Sequence, residues 1–351
     1  MLPALCLVLV MVGITAYAVL GSADFGAGFW DLTAGGDRRG GRVRGMVQHA
    51  MSPVWEANHV WLIFVLVIVW TAFPTAFGSI FSTLSVPLFL AALGIIFRGA
   101  AFALRGQAGT IREARLLGAL FASSSVLIPF CLGAAIGGIA SGRVPVGNAE
   151  GDVWSSWLNP TSVLIGVLAV VTGAHLAAVF LAADSGRAGL PDLVRAFRAR
   201  ALGSGVLAGA LALAGLLVVR SDAPDLFDGL TSGLGLVCVL ASGAAGVGTL
   251  VLVARGHHEP ARYVAAMSVG AIVCGWAFAQ RPYLLPPDLT LDDAAAPDAT
   301  LAAVLVGIGI GAVILVPSLW LLYRLVLRGV LDQRFEPLDQ RFTTVDREEP
   351  R

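Results

Sequence analysis

The sequence predicts an all-α, multi-pass membrane protein with nine transmembrane helices, on three observations. Of 351 residues, 57% are hydrophobic and 13% charged, about half the charge share of a soluble domain. The apolar residues collect into nine runs, near 4–30, 54–72, 76–100, 116–140, 161–183, 201–219, 229–253, 262–280 and 300–326. A helix needs roughly 20 apolar residues to cross a bilayer. All 23 basic residues are arginine, and, with flanking span ends included, only Arg143, Arg220 and Arg281 fall outside the first span's following loop, every second loop after it, and the C-terminal tail. The remaining loops carry acids instead, among them Glu150, Asp152, Asp222, Asp225, Asp228 and Asp288. This bias puts the N-terminus outside and the C-terminus in the cytoplasm, which requires an odd number of spans.

Span one has no basic residue before it, since the first arginine is Arg38; it reads as a span and not as a secretory signal. Spans two and three are separated only by Phe73-Pro74-Thr75, a tight turn in which Pro74 ends one helix. The loop at 281–299, rich in Pro, Asp and Ala, reads as an exposed linker. Trp154, Trp157 and Trp320 stand at span ends, where interfacial indoles collect. Residues 1–328 form one transmembrane domain. Residues 329–351 are charged and aperiodic, a flexible cytoplasmic tail. Cys6, Cys131, Cys238 and Cys274 all lie in apolar runs and read as small hydrophobes. A net charge of zero gives no sign of a nucleic-acid partner.

The chemistry concentrates in residues 53–62, Pro-Val-Trp-Glu-Ala-Asn-His-Val-Trp-Leu, at the head of span two. Glu56 and His59 are three apart and share a helix face, where they can pair or pass a proton. A charge in hydrocarbon costs roughly 2.5 kcal/mol or more, so such groups normally face protein or water. Asp24, toward the inner end of span one, and Arg98, at the inner end of span three, stand at similar depth. A cluster of Asp24, Glu56 and Arg98 would let the arginine hold the acids ionised. The small residues around Asp24, from Gly21 to Gly28, permit close helix approach. Taken singly, Asp24 and Arg98 could equally sit at headgroup level. Asp31, Asp37 and the arginines behind them read as surface residues.

His59 and His175 could in principle ligate a haem, although an intramembrane histidine more often bonds between helices. No phosphate loop, zinc spacing or nucleophilic triad stands out. Two classes remain: a helper or pathway subunit of a larger complex, and a stand-alone secondary transporter coupling protons through Asp24 and Glu56.

Three stretches resemble subunit II of the cytochrome bd-type quinol oxidases. The family's first span ends in acid-Gly-Phe-Asp-Leu/Met-Gly-x-Gly, matched by Asp24-Phe25-Gly26-Ala27-Gly28. Its second opens Trp-acid-Gly-Asn-Gln-Val-Trp-Leu, matched by Trp55-Glu56-Ala57-Asn58-His59-Val60-Trp61-Leu62. Its third ends in Phe-Arg, matched by Phe97-Arg98. The resemblance implies two four-helix bundles plus a peripheral helix, in a bacterial plasma membrane. It implies a heterodimer with a haem-bearing subunit I, which carries haems b and d and the quinol site and reduces oxygen. This chain then binds no cofactor alone and holds no complete catalytic site. A bound quinone or lipid and small single-span subunits are left open. In family terms Glu56 lies on the proton route from the cytoplasm, Trp61 flanks the oxygen passage, and Asp24 and Arg98 are buried polar supports. Joined with the residues' own chemistry, this makes Glu56, His59 and Asp24 the expected proton pathway and Arg98, Asn58 and Trp55 the expected structural polar cluster. The sequence departs from the pattern at Gly21, where the family has a further acid, so that two-carboxylate relay on span one is not available here. Ala57 replaces glycine, and His59 replaces glutamine with a group that titrates near neutral pH.

Overall fold

A computed structural model describes residues 1–35, 37–51, 55–105 and 110–327, with the side chains of a few helix-end residues among these left out. The chain is helical almost throughout. The first span, Leu2–Leu32, is α1 (Leu2–Ala16) and α2 (Ser22–Leu32) joined by one π-helical turn, Tyr17–Gly21. An amphipathic helix α3 (Asp37–Met51) follows, burying Val43, Met46 and Val47. Next come α4 (Trp55–Ala72), α5 (Pro74–Thr83), α6 (Ser85–Arg105), α7 (Ile111–Ala140), α8 (Pro160–Arg187) and α9 (Pro191–Asp222). The chain continues through a short α10 (Pro224–Thr231), then α11 (Gly233–Ala254) and α12 (His258–Ala279). A hairpin of β1 (Tyr283–Leu285) and antiparallel β2 (Leu289–Thr290) leads to α13 (Asp298–Leu327).

Local chemistry explains the boundaries. Pro74, Pro160, Pro191 and Pro224 each stand at the first helical position, where the missing N–H costs nothing. Thr110 and Glu113 close a reciprocal capping box on α7, and the Asn159 side chain accepts from Ser162 N–H at the start of α8. At the end of α8 the chain turns back at Gly189 (φ +69°), with Gly189 N–H bonded to Gly186 O and Leu190 N–H to Ser185 O. That left-handed position is one glycine adopts without penalty.

Eight helices, taken singly, are long and apolar enough to cross a bilayer among the described residues. A ninth arises if Asn58–Ala72 and Pro74–Thr83, bent by 119° at Phe73, count as one span. The third apolar run is therefore divided. Its first third forms α5, folded sharply against α4, and the spanning helix begins at Ser85. Proline geometry explains the bend, since Phe73 (φ −136°, ψ 60°) is non-helical ahead of Pro74.

The loop at 281–299 is not an exposed linker. Leu285, Leu289, Ala294 and Ala296 join a core with Cys6, Ile68 and Phe73, and Ala296 N–H donates to Ala72 O at 2.8 Å. The loop thus satisfies a carbonyl at the end of α4 that the helix leaves open. Trp157 is buried in the same core while Trp154 is exposed, so only one of that pair has an interfacial setting. α13 packs chiefly on α1 and α4 and leaves most of its apolar surface open. Residues 328–351 lie outside the described residues.

Candidate functional site

The site forms where α2 crosses α4, α6, α7 and α8, and glycines let it form. A Cβ at Gly26 would collide with the carbonyl of Gly173 on α8, and one at Gly28 with the hydroxyl of Ser125 on α7. Close helix approach is what small residues supply in a membrane, where burial in lipid gives no driving force of its own. Asp24 is thereby 6% exposed, Asn58 2% and Arg98 1%. All three are buried by protein and not left on the surface of the bundle.

The Asn58 amide donates to the Asp24 carboxylate in a very short hydrogen bond. It also reaches toward Leu20 O at 3.5 Å, a carbonyl within the π-helical turn, where backbone pairing is irregular. Arg98 does not simply face the acid. Its Nη2 donates to the backbone carbonyl of Asp24 at 2.9 Å, and its Nε to Ser125 Oγ at 3.0 Å. The guanidinium carbon lies 4.9 Å from the ring centres of both Phe25 and Phe121, a cation–π sandwich that helps offset desolvation. Ser125 in turn donates to Phe121 O at 2.6 Å.

His59 packs in an aromatic triangle with Tyr17 and Phe25, ring centres 6.1–6.2 Å apart. Trp61 lies two residues further along α4, edge-on to Phe64 at 6.1 Å. Asp24 and Arg98, two of the three members of the cluster expected from the sequence, are therefore assembled in one place, together with Asn58 and His59. The side chains of Glu56 and Trp55 lie outside the described residues; only their place at the start of α4 is set.

His175 is used elsewhere, with Nδ1 2.9 Å from Ala201 O on α9. Among the described residues no group of three or more His, Cys, Asp or Glu is arranged to hold a metal ion. Sequence reasoning missed three members of the site. Ser125 and Phe121 lie in span four, where the run Ser123-Ser124-Ser125 does not say which serine faces another helix. Asp31, read as a surface residue, is 4% exposed and lies 3.5 Å from Arg44 on α3. Its position seven residues after Asp24 was the available clue, since that spacing keeps one helix face.

A second feature opens beside Arg98. An apolar groove of about 670 Å³ runs between α6, α7 and α8, lined by Phe97, Leu127, Phe130, Val167 and Val171 with Leu32 at one end.

Fold and site define a multi-pass helical membrane protein with a desolvated arginine–carboxylate cluster inside its spans. The family described as cytochrome bd terminal oxidase subunit II matches residues 2–326, and the chain belongs to that family. It is 22% identical over 331 residues to a putative cytochrome bd menaquinol oxidase subunit II of Bacillus subtilis, covering 91% of this chain and 93% of that protein. A cytochrome bd ubiquinol oxidase subunit 2 of the same organism is 28% identical over 126 residues, 36% of each chain. Among solved structures, the bd oxidase of Geobacillus thermodenitrificans aligns with TM-score 0.75 and 26% identity, over 93% of this chain and 98% of that one. The protein is thus subunit II of a cytochrome bd-type quinol oxidase, a multi-pass component of a respiratory oxidoreductase complex in the bacterial cell membrane. The transporter reading is not favoured.

Proposed function

We propose that this chain supplies proton and oxygen access to haems carried by subunit I, and holds no complete catalytic site itself. Asp24, Glu56 and His59 form the proton pathway, with Trp61 beside the oxygen passage. Arg98, Asn58 and Trp55 hold the polar groups in place. The observation that carries this reading is Asp24 itself: a carboxylate buried within a span, bonded by an amide and backed by a buried guanidinium. Intramembrane acids so placed mark conduction paths more often than structure alone requires.

In the same reading the arginine-rich ends of the helices face the cytoplasm and the N-terminus lies outside. The bent α4–α5 pair is the second span, giving nine spans in two bundles with α13 peripheral. Haems b and d belong to the partner. The groove beside Phe97 has the size and apolar lining to take an acyl or isoprenoid chain. It would account for a bound quinone or lipid.

The test is the assembled complex carrying Asp24→Asn or Glu56→Gln. Both should keep the haem spectrum and copurify with subunit I, and both should slow quinol-driven oxygen consumption and proton uptake about tenfold. Full turnover across pH in both would remove these carboxylates from the path.

A further inference from the structure

A second buried carboxylate shares the face of α2 that carries Asp24. Asp31 lies two turns on, about 10 Å along the axis at 1.5 Å per residue, and Gly28 falls between the two on the same stripe. The three residues face α4, α7 and α3 in turn: Asp24 meets Asn58, Gly28 meets Ser125, and Asp31 meets Arg44. Arg44 also donates to Gly35 O. Its side chain is 26% exposed where that of Asp31 is 3%. Arg44 therefore links the buried acid to the arginine-rich end of the bundle.

Polar groups stand in the gap between the carboxylates, beside the ring of Phe121. Ser125 Oγ sits over Gly28 and accepts from Arg98 Nε. Pro129, inside α7, lacks the N–H that would bond the carbonyl of Ser125. Arg98 Nη1 is a buried donor with no hydrogen-bond partner among the described residues. A buried donor on Arg98, and a buried carbonyl on Ser125 that Pro129 leaves without its helical partner, are polar partners of the kind internal water needs.

We propose that Asp31 is the outer member of a two-carboxylate proton relay on α2. It takes protons at the arginine-rich surface beside Arg44 and passes them, through water held by Arg98 and Ser125, to Asp24. Each proton accepted by Asp31 is matched by one that Asp24 gives up inward, so both carboxylates recover their charge. The second acid on this span, absent at Gly21, is thus present on the opposite side of Asp24. This inference rests on the proton-access reading of Asp24.

The experiment compares Asp31→Asn, Asp31→Glu, Arg44→Gln and Asp24→Asn in the complete oxidase in proteoliposomes. It follows haem content, oxygen consumption and proton uptake after an oxygen pulse. The relay predicts intact haem content, uptake slowed about tenfold in D31N, most of the rate recovered in D31E, and less than a twofold change in R44Q. Wild-type uptake in D31N, with D24N slow, overturns the role of Asp31 and leaves that of Asp24. Equal slowing in R44Q and D31N also overturns it, because Asp31 would then serve only to anchor Arg44. Wild-type rates in both D24N and D31N remove the underlying reading as well. If D31N does not assemble, D31N/R44Q decides, since it removes the Arg44 charge together with the carboxylate it faces: slowed uptake supports the relay and a wild-type rate overturns it.

Discussion

Arg98 Nη2 donates to the backbone carbonyl of Asp24 at 2.9 Å, so the charge that supports the buried acid is bonded to its main chain while Asn58 takes the carboxylate. The arginine thereby fixes the position of α2 as well as the local field.

Replacing Arg98 with Leu strands a buried carboxylate without its counter-charge, a change worth roughly 3–5 kcal/mol in buried pairs. The expected outcome is loss of assembly with subunit I, read as reduced haem content in the purified complex. Arg98→Lys should restore little, because an ammonium cannot bond Ser125 and Asp24 together while lying flat between Phe25 and Phe121. Normal haem content in the Leu variant would show that the contact is dispensable.

Gly26→Ala tests the α2–α8 crossing. Its methyl group would meet a peptide unit of α8, the Gly173 carbonyl and the Ala174 nitrogen. Backbone cannot swing away as a side chain can. Overpacking of this kind costs about 1–3 kcal/mol, and a lower unfolding temperature in detergent should report it. Gly209→Ala, with open space around it, is the control and should leave that temperature unchanged.

At the opposite end, Asp222 accepts a two-pronged bond from Arg143, at 2.7 and 3.0 Å, and bonds from both the N–H and the hydroxyl of Thr161. It joins the ends of α7 and α9 to the start of α8, where the helix dipole also favours a negative charge. Asp222→Asn should destabilise the complex by about 1–3 kcal/mol, with Arg143→Gln nearly non-additive to it. An additive double-mutant cycle would deny the coupling.

The loop carboxylate of Asp152 accepts from the N–H groups of Trp154 at 2.9 Å and Ser155 at 2.6 Å. These bonds hold it below the ordinary carboxylate range. With the folded value depressed, the support to the loop is complete above the unfolded value of about 3.9. It is lost as pH falls through the lower folded value. Hydrogen exchange of residues 153–158 should therefore stay constant from neutral pH to about 5, after correction for intrinsic rates. Protection should fall only under stronger acid, and Asp152→Ala should abolish the pH dependence.

Much of the site was legible because helix spacing and depth are one-dimensional quantities. Asp24 near one end of span one, Asn58 at the start of span two and Arg98 at the end of span three share a depth whatever the bundle looks like. Ser125 and Phe121 were not legible, since only the rotation of α7 about its axis turns them toward Arg98. Asp31 was misread for a related reason. Span-end position suggests headgroup level, but α3 folds back over the end of α2 and buries the carboxylate.

By itself the sequence determined that this is a helical membrane protein of one recognisable family, roughly where its apolar runs cross, and which acids and arginines stand inside them. Hydrophobic runs, prolines and charge alternation act locally, and each can be read without its neighbours. Only the tertiary structure decided that α5 bends away from α4, that the loop at 281–299 packs into the core, and that Arg98 bonds the main chain of Asp24. It also decided that Asp31 is buried. Each of these depends on which helix faces meet, and in a bilayer that is set by close backbone approach at residues such as Gly26 and Gly28, not by any property the apolar runs express alone.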